Sequence, residues 1–189
     1  MSIQDIADKL NFSDVDLVPP DEVVRSFMNQ LDEVTNHYVI GVVEPYSGHI
    51  VSYKTGGIAA LSTVISGAKE HDIQDDLGLR GYGNLSFECY LAAPQLEDYK
   101  FRICFFEYGI GGYPVKFVIE QGIADEINKR PNSQYIFKVS NRAELEELLN
   151  RIISVKKMIE IIQGIINESI IEKHRKPAEE LGLPAEEQG

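Results

Sequence analysis

Three runs in the middle of the chain alternate apolar with polar side chains at a period of two: Phe87-Glu88-Cys89-Tyr90-Leu91, Phe101-Arg102-Ile103-Cys104-Phe105 and Val115-Lys116-Phe117-Val118-Ile119. That period belongs to strands with one buried face. A slip of one residue sends every side chain to the opposite face, so register can be tested by which pairing segregates the apolar groups. With Ala93 facing Tyr99 and Glu107 facing Tyr113, one face carries Phe87, Cys89, Leu91, Phe101, Ile103, Phe105, Val115, Phe117 and Ile119. The other carries Glu88, Tyr90, Lys100, Arg102, Cys104, Lys116 and Glu120. The expectation is an antiparallel meander over 85–120 with one buried face.

Helical spacing flanks this meander. Val23, Val24, Phe27, Leu31 and Val34 recur at steps of three and four, which predicts a helix over 21–36 opened by Pro19-Pro20. Leu145, Leu148, Leu149, Ile152, Ile159, Ile162, Ile166 and Ile170 continue a stripe to about residue 171. Asn141 and Glu144 form a capping box at its start. One straight helix of that length would reach about 45 Å, and a break near Ser154 would divide it into two. Between helix and meander, Tyr38 to Val43 and His49 to Thr55 read as a hairpin around Glu44-Pro45-Tyr46-Ser47-Gly48, with Val42 opposite Val51 and Ile40 opposite Tyr53. Tyr135, Phe137 and Val139 read as a last strand. The fold class expected is α+β: a sheet of five or six antiparallel strands, covered on one face by the N-terminal helix and by the long C-terminal helix or helix pair. One domain spans 1–173, and 174–189, with few apolar groups, reads as a disordered acidic tail. Residues 56–83 form a long connection of the kind that often serves as a lid.

Charge narrows the partners. Thirty acids against eighteen bases leave a net charge of −12 over 189 residues, which disfavours nucleic acid and anionic membranes. No apolar run approaches the roughly 18 residues a membrane span needs. The first ten residues lack the apolar core of a signal peptide, and with two cysteines no disulfide framework is expected. These features together point to a cytoplasmic location.

Catalytic motifs are absent by type and by spacing. The histidines His37, His49, His71 and His174 are never at helical ligand spacing from one another. His71, Asp72, Asp75 and Asp76 lack the ligand order and internal glycine of a calcium loop, so they read as a solvated loop. Gly109-Ile110-Gly111-Gly112 joins two strands and is not followed by Lys-Ser or Lys-Thr, so it is no phosphate loop. Cys89 falls on the apolar face and Cys104 on the polar one, near Arg102 and Lys116, without a histidine beside it. No catalytic residue, metal site or cofactor is nominated.

One constellation remains: Glu88, Arg102 and Lys116, with Tyr90, Lys100 and Glu120, on the second face of the meander. It is either a solvated sheet face with cross-strand ion pairs or a recognition surface for a partner or anionic ligand, centred on Arg102. The leading functional expectation is a non-enzymatic, intracellular interaction module. An acidic inhibitor or immunity-type binder of a basic protein would be of this kind. The alternatives are a small-ligand binder or enzyme with 56–83 as lid, and a structural subunit forming a homodimer through 141–171.

Overall fold

The computed structural model describes residues 18–48, 51–53, 70–72 and 83–180. Helix α1 spans Pro20–Val34, with Pro20 in its first turn and Val23, Val24, Met28 and Leu31 along its buried side. Thr35 ends it. Its hydroxyl donates to the Leu31 carbonyl at 2.7 Å and accepts from Val39 N–H at 3.1 Å. Asn36 and His37 take left-handed conformations, with φ of 51° and 64°, and this reversal lays strand β1 (Ile40–Pro45) against the helix. Gly41 permits the contact: a Cβ there would lie 2.7 Å from Met28 Cε and 2.8 Å from the Met28 carbonyl oxygen.

Strands β2 (Val51–Tyr53) and β3 (Glu70–Asp72) pair with each other, apart from the main sheet. That sheet is antiparallel, in the order β1-β4-β5-β6-β7, with β4 Leu85–Ala93, β5 Leu96–Tyr108, β6 Val115–Ile119 and β7 Ile136–Val139. Helix α2 (Gln121–Asn128) links β6 to β7 and is capped by the Glu120 carboxylate, which accepts from Ile123 N–H at 2.9 Å. Asp125 organises the following turn, accepting from the backbone N–H groups of Asn132 (3.0 Å) and Ser133 (2.8 Å) and from Gln121 Nε2 (2.7 Å). Helix α3 (Arg142–Ser154) starts at Asn141, whose side chain accepts from Glu144 N–H at 2.9 Å. The reciprocal bond goes to Ser140 N–H, at 2.8 Å from Glu144 Oε2. Val155 is extended (ψ 147°), and the break it makes separates α3 from α4 (Lys156–Glu180).

The class is α+β, with α1, α3 and α4 contributing to one core against the sheet. Phe87, Phe106 and Phe117 stack across three adjacent strands, with successive centroids 5.2 Å apart. Aromatic pairs at such separations add to simple area burial.

Three strand pairings differ from the sequence expectation. β1 pairs with β4 and not with Val51–Tyr53, so that Val43 faces Cys89 and Glu44 faces Glu88. Alternation alone does not choose a partner, and the nine-residue β4 offers β1 a longer ladder than three-residue β2. In the meander, Leu91 faces Phe101 and Tyr90 faces Arg102 as expected, but a bulge at Ile103 then shifts the register to Cys89–Cys104 and Phe87–Phe106. Next, Glu107 faces Lys116, not Tyr113. The loop Gly109–Pro114 holds its own turn, with Gly112 N–H bonded to the Gly109 carbonyl at 2.9 Å, which places Tyr113 outside the ladder.

Helix α4 runs to Glu180, past the end near 171 read from its apolar stripe. Glu172, Lys173, Arg175 and Lys176 favour helix without apolar support. Residues 1–17, 181–189 and most of 56–83 lie outside the described residues, as does the lid expectation with them. Among the described residues, no helix is long and apolar enough to cross a membrane.

Candidate functional site

The sheet face turned away from α1 holds the polar constellation. Glu44 on β1 stands directly opposite Glu88 on β4, a like-charge pair that destabilises unless something lies between. Lys100 supplies it. Its Nζ is 2.5 Å from Glu88 Oε1 and 3.4 Å from Glu44 Oε1, and it also lies 3.8 Å from the Tyr90 ring centroid. Arg102 Nε donates to the other Glu88 oxygen at 2.9 Å. Its guanidinium covers the Phe105 ring at 4.6 Å, and Tyr46 packs on the same ring at 4.7 Å.

Glu88 is only 4% exposed. Burial pushes its carboxyl up, but hydrogen bonds involving Lys100, Glu44 and Arg102 outweigh that, and its pKa lies below the ordinary glutamate value. Lys100 is displaced the other way: burial lowers its pKa, the Glu88 contact raises it by more, and the ammonium is held above its usual range. Burial and the Glu44 charge raise Tyr90. Two carboxylates thus meet two cations, so the cluster offers an anion no net positive charge. Its evident physical effect is to lock β1, β4 and β5 in register on this face.

Lys116 shares the face but not the cluster. It lies on β6, three strands away from β1, and pairs with buried Glu107 at 3.8 Å. Glu120, expected on the same face, lies beyond the end of β6 as the α2 cap and accepts a 2.7 Å hydrogen bond from Lys157 Nζ. Cys104 is corrected outright. The bulge turns it into the core, 2% exposed and opposite Cys89. A hydrogen bond with Cys89 and burial push its thiol well above the usual value, the opposite of the lowered pKa that an activated thiol needs. His37 is an exposed partner of Asp32 at 3.0 Å. His174 is exposed on α4, His71 lies in β3, and His49 is outside the described residues. Among the described residues, no group of three or more His, Cys, Asp or Glu side chains could hold a metal ion.

Sequence reasoning found Glu88, Lys100, Arg102 and Tyr90 on one face, and missed Glu44 and Tyr46. Both depend on the β1–β4 pairing, for which the chain carries no local signal. Comparison with protein-family models, curated proteins and solved structures finds no match to this chain.

Proposed function

We propose that this chain is a non-enzymatic interaction module that binds a basic protein partner through its acidic surface. The observation that carries the reading is how the charges are distributed. Several cations are paired within the molecule, Arg25 with Asp21 and Glu22, Lys100 and Arg102 with Glu88, Lys116 with Glu107, and Lys157 with Glu120, while exposed Lys129, Arg130, Lys138, Arg151 and Lys173 have no acid within ion-pair distance among the described residues. Exposed Glu33, Glu97, Asp98, Glu147 and Glu168 have no base within ion-pair distance among the described residues. Acids outnumber bases by 22 to 14 among the described residues, so their surface carries a net negative charge. Such a field speeds encounter with a cationic surface and suppresses encounter with an anionic one.

The test uses fluorescence anisotropy with two labelled peptides, nona-arginine and nona-glutamate, at 0.1 M salt. Saturable binding of the first alone supports the reading. Binding of both, or of neither, overturns it.

A second reading, self-assembly through α4, is favoured by the exposure of Ile159 (56%), Ile170 and Ile171 on that helix. Light scattering at tens of micromolar should then give about twice the 21.2 kDa chain mass. A monomer mass removes it.

A further inference from the structure

We propose that the groove between the β4–β5 hairpin and helix α4 receives an arginine or lysine side chain of a basic partner protein. This rests on the reading above and gives it a location.

The groove arises from a local irregularity in the hairpin. Ala93 faces Leu96 across the turn, but the next pair is Ala92 with Lys100. Glu97, Asp98 and Tyr99 are thus extra residues on β5, displaced from the ladder, with Asp98 left-handed at φ 60°. They form one wall. The other wall is α4, where Gly164 leaves open space: a Cβ there would meet nothing within 4 Å. The concavity measures about 650 Å³, within the roughly 300–1,000 Å³ typical of ligand-binding clefts.

Its chemistry is divided by depth. Buried Ile165 and half-buried Leu96 and Ile161 make an apolar floor. Glu97, Asp98 and Glu168 stand exposed at the rim without a base within ion-pair distance among the described residues. Tyr99, 37% exposed, adds an aromatic side chain to the lining.

That division selects the occupant. A wholly apolar ligand would desolvate three carboxylates with no compensation. An anion would be repelled by all three. A lysine or arginine side chain matches both zones, its methylene stem lying on the apolar floor while the charged head stays at the polar edge. Charge-assisted hydrogen bonds to carboxylates and a cation–π contact with Tyr99 are then within reach of the same head group. The Glu88 cluster offers nothing equivalent, because Lys100 and Arg102 already occupy it.

The experiment measures nona-arginine affinity by anisotropy for the full chain and three variants, each checked for folding by its thermal melt. Gly164→Leu fills the groove without altering charge. Glu97→Gln/Asp98→Asn/Glu168→Gln removes the rim charge, and asparagine tolerates the left-handed backbone at 98. Glu22→Gln/Glu146→Gln/Glu160→Gln removes as many charges outside the groove, at acids paired with Arg25, Arg142 and Lys156. The expected result is an affinity loss of about tenfold or more for each groove variant and under about threefold for the control. If Gly164→Leu fails to fold, the rim variant against the control decides. Equal losses in rim and control variants overturn the groove while leaving charge-driven binding of a basic protein intact. No binding by the unaltered chain overturns both.

Discussion

Cys89 and Cys104 face each other across β4 and β5, each buried in the core and each a free thiol. The Cys104 thiol is held protonated by its hydrogen bond with Cys89 and by burial, and a thiol reagent needs both access and thiolate. Neither cysteine should therefore react with an aromatic disulfide reagent at pH 8 over the time in which the unfolded chain titrates two thiols. A single fast-reacting thiol in the native protein would place Cys104 outside the core and undo the Ile103 bulge.

Glu88 binds Lys100 and Arg102 from a buried position, while both cations stay partly exposed. Replacing it with glutamine keeps the shape and removes the charge. The cost should be about 1–2 kcal/mol at neutral pH, below the usual figure for a fully buried pair because solvent screens the two cations. A depressed carboxyl pKa stabilises the fold above the unfolded-state value, near 4.3, and that contribution disappears as pH falls through the folded-state value. Urea unfolding at pH 7 and pH 3 should accordingly show the Glu88→Gln deficit shrinking in acid. A deficit that is constant or grows in acid would contradict this account of the cluster.

Gly41 and Gly164 should respond to alanine with opposite signs. At position 41 a methyl group would press on the Met28 carbonyl at 2.8 Å, and backbone cannot swing aside as a side-chain tip can. Destabilisation of about 2 kcal/mol is expected. At position 164 the methyl enters open space inside a helix, where alanine is favoured over glycine by about 0.5–1 kcal/mol. Parallel denaturant titrations settle both, and a destabilised Gly164→Ala would mean that the helix is not open on that side.

Which parts of this arrangement the sequence carried follows from the strength of each local signal. The helix stripes, the asparagine cap at 141 and the break after Ser154 were legible, since apolar spacing and capping chemistry are local. Glu88 and Arg102 could be placed on one face because Arg102 precedes the bulge. Cys104 follows it, inside Ile103-Cys104-Phe105-Phe106, where four consecutive apolar groups erase the alternation that reports parity. The pairing of β1 with β4 spans a long stretch of chain, and no turn chemistry announces it. The groove had one visible trace, a glycine amid isoleucines at 164, whose meaning depends on a hairpin wall supplied by residues 97–99.

Association kinetics test the central claim most directly. Stopped-flow mixing of the chain with labelled nona-arginine, from 0.1 M to 1 M salt, shortens the reach of surface charge from about 10 Å to about 3 Å. If the unpaired surface acids draw a basic partner in, the association rate constant should fall by about tenfold or more across that range, with a smaller change in dissociation. An association rate that does not change with salt would contradict charge-driven binding of a basic protein.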